Sequence, residues 1–109
     1  MSIVKFLLLM FFFLLAPLNH HNPGRDFFSR HQGALESRLP SVLHPILSLL
    51  QQREVLNAME RAEVMSKPTS VERNFALLTM IQNKGATAQQ VFYKVLKEAD
   101  PYLVDNLEG

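Results

Sequence analysis

The stretch Lys84-Gly-Ala-Thr-Ala-Gln-Gln-Val-Phe-Tyr-Lys-Val-Leu-Lys-Glu-Ala-Asp-Pro-Tyr-Leu-Val104 contains a helix end, a complete helix and a helix start. Its apolar residues recur at the spacing i, i+3, i+4, i+7, i+8 and i+11, which is typical of the buried face of a helix. These residues are Ala88, Val91, Phe92, Val95, Leu96 and Ala99. Gly85 fits the end of the preceding helix as a left-handed cap. Asp100 followed by Pro101 predicts the start of the next helix.

The starts of several predicted helices carry a second recurring signal. Three residue pairs place a capping oxygen three positions before a side chain that can return the hydrogen bond, as in a capping box. The pairs are Asn57 with Glu60, Thr69 with Glu72, and Thr87 with Gln90. Asp26 can cap a first helix that begins at Phe27, Pro40 should bend or break it, and Pro45 suits the start of a second helix.

These signals predict an all-α chain. We expect a six-helix antiparallel bundle whose first helix is bent near Pro40, followed by a short segment from Ser41. Spacing assigns a further set of apolar residues to the core: Val71, Phe75, Leu78 and Ile81 of the fourth helix, together with Met59, Met65 and Met80. Tyr93 and Tyr102 are interpreted as packing at helix boundaries, and the alternative is that they anchor a protein contact.

Composition narrows the function. The chain has 109 residues, which suits one domain, and 48% of them are hydrophobic. From Arg25 onward, ten Lys or Arg residues balance ten Asp or Glu residues. A neutral domain argues against general nucleic-acid binding, which requires excess cations. It suits a surface whose positive and negative patches meet across a protein interface.

Catalytic and metal chemistry find little support. Without cysteine the chain has no disulfide, thiolate zinc site or thiol nucleophile, and this favours a reducing compartment. Two of the four histidines, His20 and His21, lie in a predicted linker, so we predict no metal site and no cofactor. Ser48 with His44 and Glu36 lacks the sequence context of a hydrolytic triad. We predict that the chain is not an enzyme.

The first eighteen residues resemble a secretory signal, with Lys5 before an apolar run that reaches Leu15. The run is shorter than the about 20 residues that a bilayer crossing takes. Three interpretations compete: a cleaved signal or membrane anchor, a leader folded onto the domain, and an upstream segment unrelated to the fold. We favour the third, and divide the chain into a leader (1–18), a linker (19–25) and a domain (26–109).

The domain resembles the caspase recruitment domain, a six-helix member of the death fold, over roughly residues 26–108. The resemblance rests on the combination and order of several short segments: Phe27-Phe28-Ser-Arg30-His31, Pro45-Ile46-Leu47, Val55-Leu56, Lys84-Gly85, and Leu96-Lys-Glu-Ala-Asp-Pro-Tyr-Leu-Val104. It is closest in pattern to the domains of inflammatory caspases, the speck-forming inflammasome adaptor and NOD-like receptors. Many relatives carry an acidic residue near the position of Ser48, which here is uncharged.

The resemblance implies homotypic association, often through growth of a helical filament. It implies a basic surface on the first and fourth helices, for which the candidates are Arg30, Arg38 and Arg73, with Arg53 and Lys84 as further contributors. The acidic side would be supplied by Glu54, Glu60, Glu63 and Glu98. The alternative is that these are ordinary solvated charges. Arginine suits such contacts because its guanidinium group binds carboxylates in a forked geometry.

We therefore predict a protein interaction module, either an adaptor or a stand-alone regulator in inflammasome or apoptotic signalling. Expected partners are proteins with the same domain, including further copies of this chain in an oligomer or filament. We expect no nucleic-acid partner, no membrane association and a cytoplasmic location. The alternative is a small secreted or membrane-tethered helical protein whose leader is genuine.

Overall fold

The computed structural model describes residues 22–40 and 43–109. These residues form six helices and no strand, which confirms the predicted fold class. The helices are α1 (Pro23–Arg38), α2 (His44–Gln52), α3 (Ala58–Met65), α4 (Ser70–Lys84), α5 (Ala86–Ala99) and α6 (Pro101–Glu108). The predicted leader and the predicted segment from Ser41 lie outside the described residues.

Helix α1 begins earlier than predicted. Its N-cap is Asn22, whose Oδ1 accepts a hydrogen bond from the Arg25 backbone N–H at 2.9 Å, so the capping role predicted for Asp26 is wrong. Pro23 and Gly24, which we had assigned to the linker, form the first turn. Gly24 donates its N–H to Gln90 Oε1 at 2.6 Å. A Cβ on Gly24 would collide with the backbone of Gln90, so the glycine permits close contact between α1 and α5.

Pro40 ends α1 instead of bending it. The helix stops at Arg38, and Leu39 adopts an extended conformation with ψ of 146°. A residue before proline is disfavoured in the helical region, which explains the stop. Proline also has no N–H to donate to the carbonyl four residues earlier, that of Glu36.

The predicted capping boxes have three different outcomes. Asn57 and Glu60 form a complete box at the start of α3. At the start of α4, the Thr69 hydroxyl oxygen accepts the Glu72 backbone N–H at 3.1 Å. The Glu72 carboxylate accepts a hydrogen bond from the Thr69 hydroxyl and not from the Thr69 backbone N–H, so this box is incomplete. Thr87 is not a cap, because α5 begins at Ala86.

A single glycine separates α4 from α5. Gly85 has a φ of 97°, a conformation that L side chains rarely adopt, and it ends α4 while preceding α5 directly. The predicted glycine cap is therefore confirmed. Helix α5 follows directly, and its N-terminus has no side-chain cap of the kind predicted at Thr87.

Helix α5 lies at the centre of the core. It packs most extensively against α1 and also contacts α2, α4 and α6. Phe92, Val95 and Leu96 are completely buried, as the apolar spacing predicts. The rings of Phe28 and Phe92 meet edge to face, with centroids 6.0 Å apart.

Helix α4 buries a different face from the one predicted. Leu78 and Ile81 are buried as expected, but Val71 and Phe75 are 55% and 56% exposed. In their place Asn74 is buried: its Nδ2 donates to the Glu36 carbonyl oxygen at 2.9 Å, and its Oδ1 has no hydrogen-bond partner among the described residues. Pro40 has no N–H to donate to this carbonyl, and Asn74 supplies a donor instead.

Two other residues assigned to packing roles are exposed. Met59 is 83% exposed on α3 and Tyr102 is 79% exposed on α6, so neither contributes to the core. Met65 and Met80 do pack against it, partly buried. In these short helices, burial thus depends on the side of the helix on which a residue lies, more than on its position along the helix.

Tyr93 joins α5 to the last helix, α6. Its ring packs against Phe27, and its hydroxyl donates to Glu108 Oε1 at 2.5 Å. The hydrogen bond to this carboxylate, helped by burial, raises the pKa of Tyr93 to about 12, so the phenol stays neutral. The packing role predicted for Tyr93 is confirmed, but Tyr93 lies in the middle of α5 and not at a helix boundary.

The two phenylalanines of opposite burial give a matched stability test. Phe92→Ala should lower the free energy of unfolding by about 3–5 kcal/mol, because it empties a fully enclosed site. Phe75→Ala should cost less than about 1 kcal/mol, because that ring is already half in solvent. Urea denaturation monitored by circular dichroism measures both. Equal losses would contradict the orientation of α4.

Asn74 provides a second test. Asn74→Ala should destabilise the domain by about 1 kcal/mol or more, because the partly buried Glu36 carbonyl oxygen loses its donor. Asn83→Ala, at an exposed position of the same helix, is the control and should be nearly neutral. Thermal unfolding of both variants decides; a neutral Asn74→Ala would show that the end of α1 does not need this hydrogen bond.

Candidate protein interaction surface

Several predicted interface residues of opposite charge pair with each other within one chain. Arg53 Nη2 lies 2.5 Å from Glu98 Oε2, which joins the end of α2 to α5. Lys84 Nζ lies 2.8 Å from Glu60 Oε2, which joins the end of α4 to α3. All four side chains remain partly exposed. They contribute to helix packing within the domain as well as to its surface charge.

Glu60 has two structural roles. One carboxylate oxygen accepts the Asn57 N–H and the other accepts from Lys84. The hydrogen bond from Lys84, and then that from Asn57, lower the pKa of Glu60 below its usual value. Its stabilising contribution is therefore present above the ordinary pKa of a glutamate and is lost as the pH falls through the lowered value.

The three arginines predicted to form a basic surface differ in their surroundings. Arg30 and Arg38 are both exposed, two turns apart on α1. Arg38 donates from Nη2 to Asn106 Oδ1 of α6 at 2.8 Å. Arg73 is half-buried and donates from Nε to the Lys67 carbonyl oxygen at 2.9 Å, so it holds the connection between α3 and α4. Arg30 and Arg38 are the more accessible pair.

The remaining predicted acidic residues separate in space. Glu54 lies in the turn after α2, is exposed, and has a positive φ of 63°. Glu63 is exposed on α3 and lines a groove with Glu60. Of these two residues, only Glu63 lines the groove.

This groove, here called the acidic groove, combines apolar and charged side chains. It lies between α1, α3 and α4 and has a volume of about 710 Å³. Its apolar side chains include Val71, Phe75 and Met80. Its carboxylates are Glu36, Glu60, Glu63 and Glu72, accompanied by Lys67.

Sequence reasoning found only half of the acidic groove. It named Glu60 and Glu63 but missed Glu36 and Glu72, and it placed Val71 and Phe75 in the core. The spacing of Asn74, Leu77, Leu78 and Ile81 contains the correct i, i+3, i+4, i+7 face. The polar Asn74 concealed that face, because its buried hydrogen bond depends on α1.

A second surface carries the opposite charge. Arg53, Lys94 and Lys97 surround a shallow depression between the end of α2 and α5, together with Val91 and Glu98. We call this surface the basic patch. Lys94 is exposed, and Lys97 extends its ammonium group over the ring of Tyr93, 4.8 Å from the centroid. Sequence reasoning named Arg53 but neither lysine.

Metal-binding clusters and membrane-spanning helices are absent from the residues that the structure describes. Among residues 22–40 and 43–109, no group of three His, Asp or Glu side chains is placed to hold a metal ion. His44 lies 3.1 Å from Arg61 through Nδ1, and the ring of His31 packs on Phe27. None of the six described helices has the length and apolar content that a bilayer crossing requires.

Comparisons with known proteins agree with this architecture. The family model for the caspase recruitment domain matches residues 25–109. The chain is 36% identical over 84 residues to human (Homo sapiens) caspase recruitment domain-containing protein 8, covering 77% of this chain and 16% of that protein. It is 31% identical over 84 residues to the Danio rerio apoptosis-associated speck-like protein containing a CARD, covering 76% of this chain and 41% of that protein.

A solved structure described as "unknow protein 4" gives the same result in three dimensions. It superposes with a TM-score of 0.73 at 35% sequence identity, covering 76% of this chain and 94% of that one. The chain spans less than half the length of the curated relatives given above. What is shared with them is this domain. The chain belongs to the caspase recruitment domain family, whose members are protein interaction modules of the death fold.

Proposed function

We propose that this protein binds other caspase recruitment domains and acts as an adaptor or stand-alone regulator in inflammasome or apoptotic signalling. The observation that carries the proposal is the family match, which covers all of the described helices except the first two residues of α1. The expected partners are the matching domains of an inflammatory caspase, an inflammasome adaptor or a NOD-like receptor. The proposal includes no catalytic step.

Exposed charge supports recognition between folded domains. Arg30 and Arg38 extend from α1, whereas the carboxylates of the acidic groove lie between α1, α3 and α4. A neutral domain with separated charges can stack on copies of itself or on relatives without net repulsion. The uncharged and exposed Ser48 removes one acidic contact that many relatives have. This favours a regulator that joins an assembly and limits its growth.

Arg38 is the residue with which to test the proposal. Arg38→Glu should weaken association with a purified caspase recruitment domain by at least about tenfold, because a like-charge contact in an interface costs several kcal/mol. Binding of the parent chain should also weaken as salt rises. Sedimentation velocity measures the affinity, and electron microscopy shows whether filaments form.

Asn106→Ala separates the charge of Arg38 from its intramolecular bond. This variant removes the hydrogen-bond partner of Arg38 but keeps the guanidinium group, so binding should be unchanged. If Arg38→Glu binds as well as the parent chain, Arg38 does not belong to the interface. If the parent binds no caspase recruitment domain among candidate partners, the proposed function is wrong.

The leader gives a prediction about location. Deleting residues 1–21, and keeping Asn22 because it caps α1, should leave partner binding and a cytosolic location unchanged. A C-terminal fluorescent tag reports the location, with the full chain as the control. Secretion or membrane retention that depends on residues 1–21 would instead support the secreted or tethered alternative.

A further inference from the structure

The acidic groove has an apolar floor that no described residue covers. Val71 and Phe75 lie one helical turn apart on α4, and more than half of each side chain is exposed. They are flanked by carboxylates of three helices. Neighbouring exposed apolar residues that are rimmed by charge form a surface that can bind another molecule.

The charge of the acidic groove is negative after internal pairing. Lys84 neutralises Glu60 through their ion pair, which leaves Glu36, Glu63 and Glu72 facing Lys67. The net charge of the groove is therefore about −2. A complementary occupant must bring about two cations together with aliphatic or aromatic contact surface.

The basic patch on the same chain has this composition. Glu98 neutralises Arg53, which leaves Lys94 and Lys97, a net charge of about +2, beside the half-buried Val91. A lysine offers four methylene groups that cover apolar surface and an ammonium group that reaches beyond them. Its ammonium also binds favourably over an aromatic ring, as Lys97 does over Tyr93.

We infer that the acidic groove of one copy binds the basic patch of a second copy, with Lys94 and Lys97 over Val71 and Phe75 and their ammonium groups against Glu36 and Glu63. The inference deepens the proposed function by identifying a homotypic contact. It assigns Glu63 to lysines of α5, whereas the sequence paired it with arginines of α1.

The location of the two surfaces determines the kind of assembly. The acidic groove is formed by α1, α3 and α4, and the basic patch by α5 and the end of α2. Since they share no helix, one copy can use both surfaces at once. Where each copy binds one neighbour through its groove and a different neighbour through its patch, the contact is heterologous and produces rings or open helical chains.

Charge reversal on the full-length chain tests the contact. The double variants Glu36→Lys/Glu63→Lys and Lys94→Glu/Lys97→Glu should each self-associate at least about tenfold more weakly than the parent, because each places like charges together. An equimolar mixture of the two double variants should recover association to within about threefold. In the mixture, the reversed groove of the first variant can bind the reversed patch of the second. The unchanged groove of the second variant can bind the unchanged patch of the first.

The measurement is sedimentation velocity over a concentration series, with circular dichroism to verify each fold. Asp105→Lys, on the exposed face of α6 outside both surfaces, is the control for a change in net charge and should associate like the parent. Phe75→Ser should weaken self-association without reversing any charge, which reports on the apolar floor separately.

The outcomes distinguish this inference from the proposed function. Reversed variants that associate like the parent overturn the inference, as does a mixture that fails to recover. If the parent chain stays monomeric but self-associates once residues 1–21 are removed, the leader occupies the groove instead. If any of these results accompanies Arg38-dependent binding to another caspase recruitment domain, the inference is wrong and the proposed function stands. If the parent binds neither itself nor such a domain, both are wrong.

Discussion

The hydrogen bond from Asn74 to the Glu36 carbonyl oxygen joins α4 to the end of α1, in the orientation that gives α4 its exposed face. Pro40 ends α1 and cannot donate to that carbonyl, so a side chain from α4 does so. The orientation of α4 that allows this bond also buries Leu77, Leu78 and Ile81 completely. With Asn74 inward, Val71 and Phe75 face outward. The apolar floor of the acidic groove is thus the outward face of α4.

Helix α5 supplies the framework within which this bond forms. Its fully buried residues contact the other core helices, and its N-terminal half approaches α1 closely because Gly24 has no side chain. Tyr93 links the same helix to α6 through Glu108. The surfaces are therefore carried on a rigid centre, which suits a domain that binds without rearrangement.

Intramolecular ion pairs simplify the charge pattern. Arg53 with Glu98 and Lys84 with Glu60 bind each other, and exposed pairs of this kind contribute little to stability, about 0–1 kcal/mol. Their larger effect is to cancel charge locally. What remains is a groove of net negative charge and a patch of net positive charge on different helices. A domain that is neutral overall can thereby carry two complementary surfaces.

The sequence by itself determined the helical fold, the family, the core face of α5, the Asn57–Glu60 box and the break at Gly85. The family follows from the order of several segments along the domain, and each of the other features depends on residues within about a dozen positions, where spacing and capping act directly. Tertiary structure alone decided the start of α1 at Pro23, the face of α4, and the partners of the charged residues. Gly24 against Gln90, Asn74 on Glu36 and Arg53 on Glu98 join residues at least 38 positions apart. Such contacts depend on how helices pack, and no local pattern encodes them.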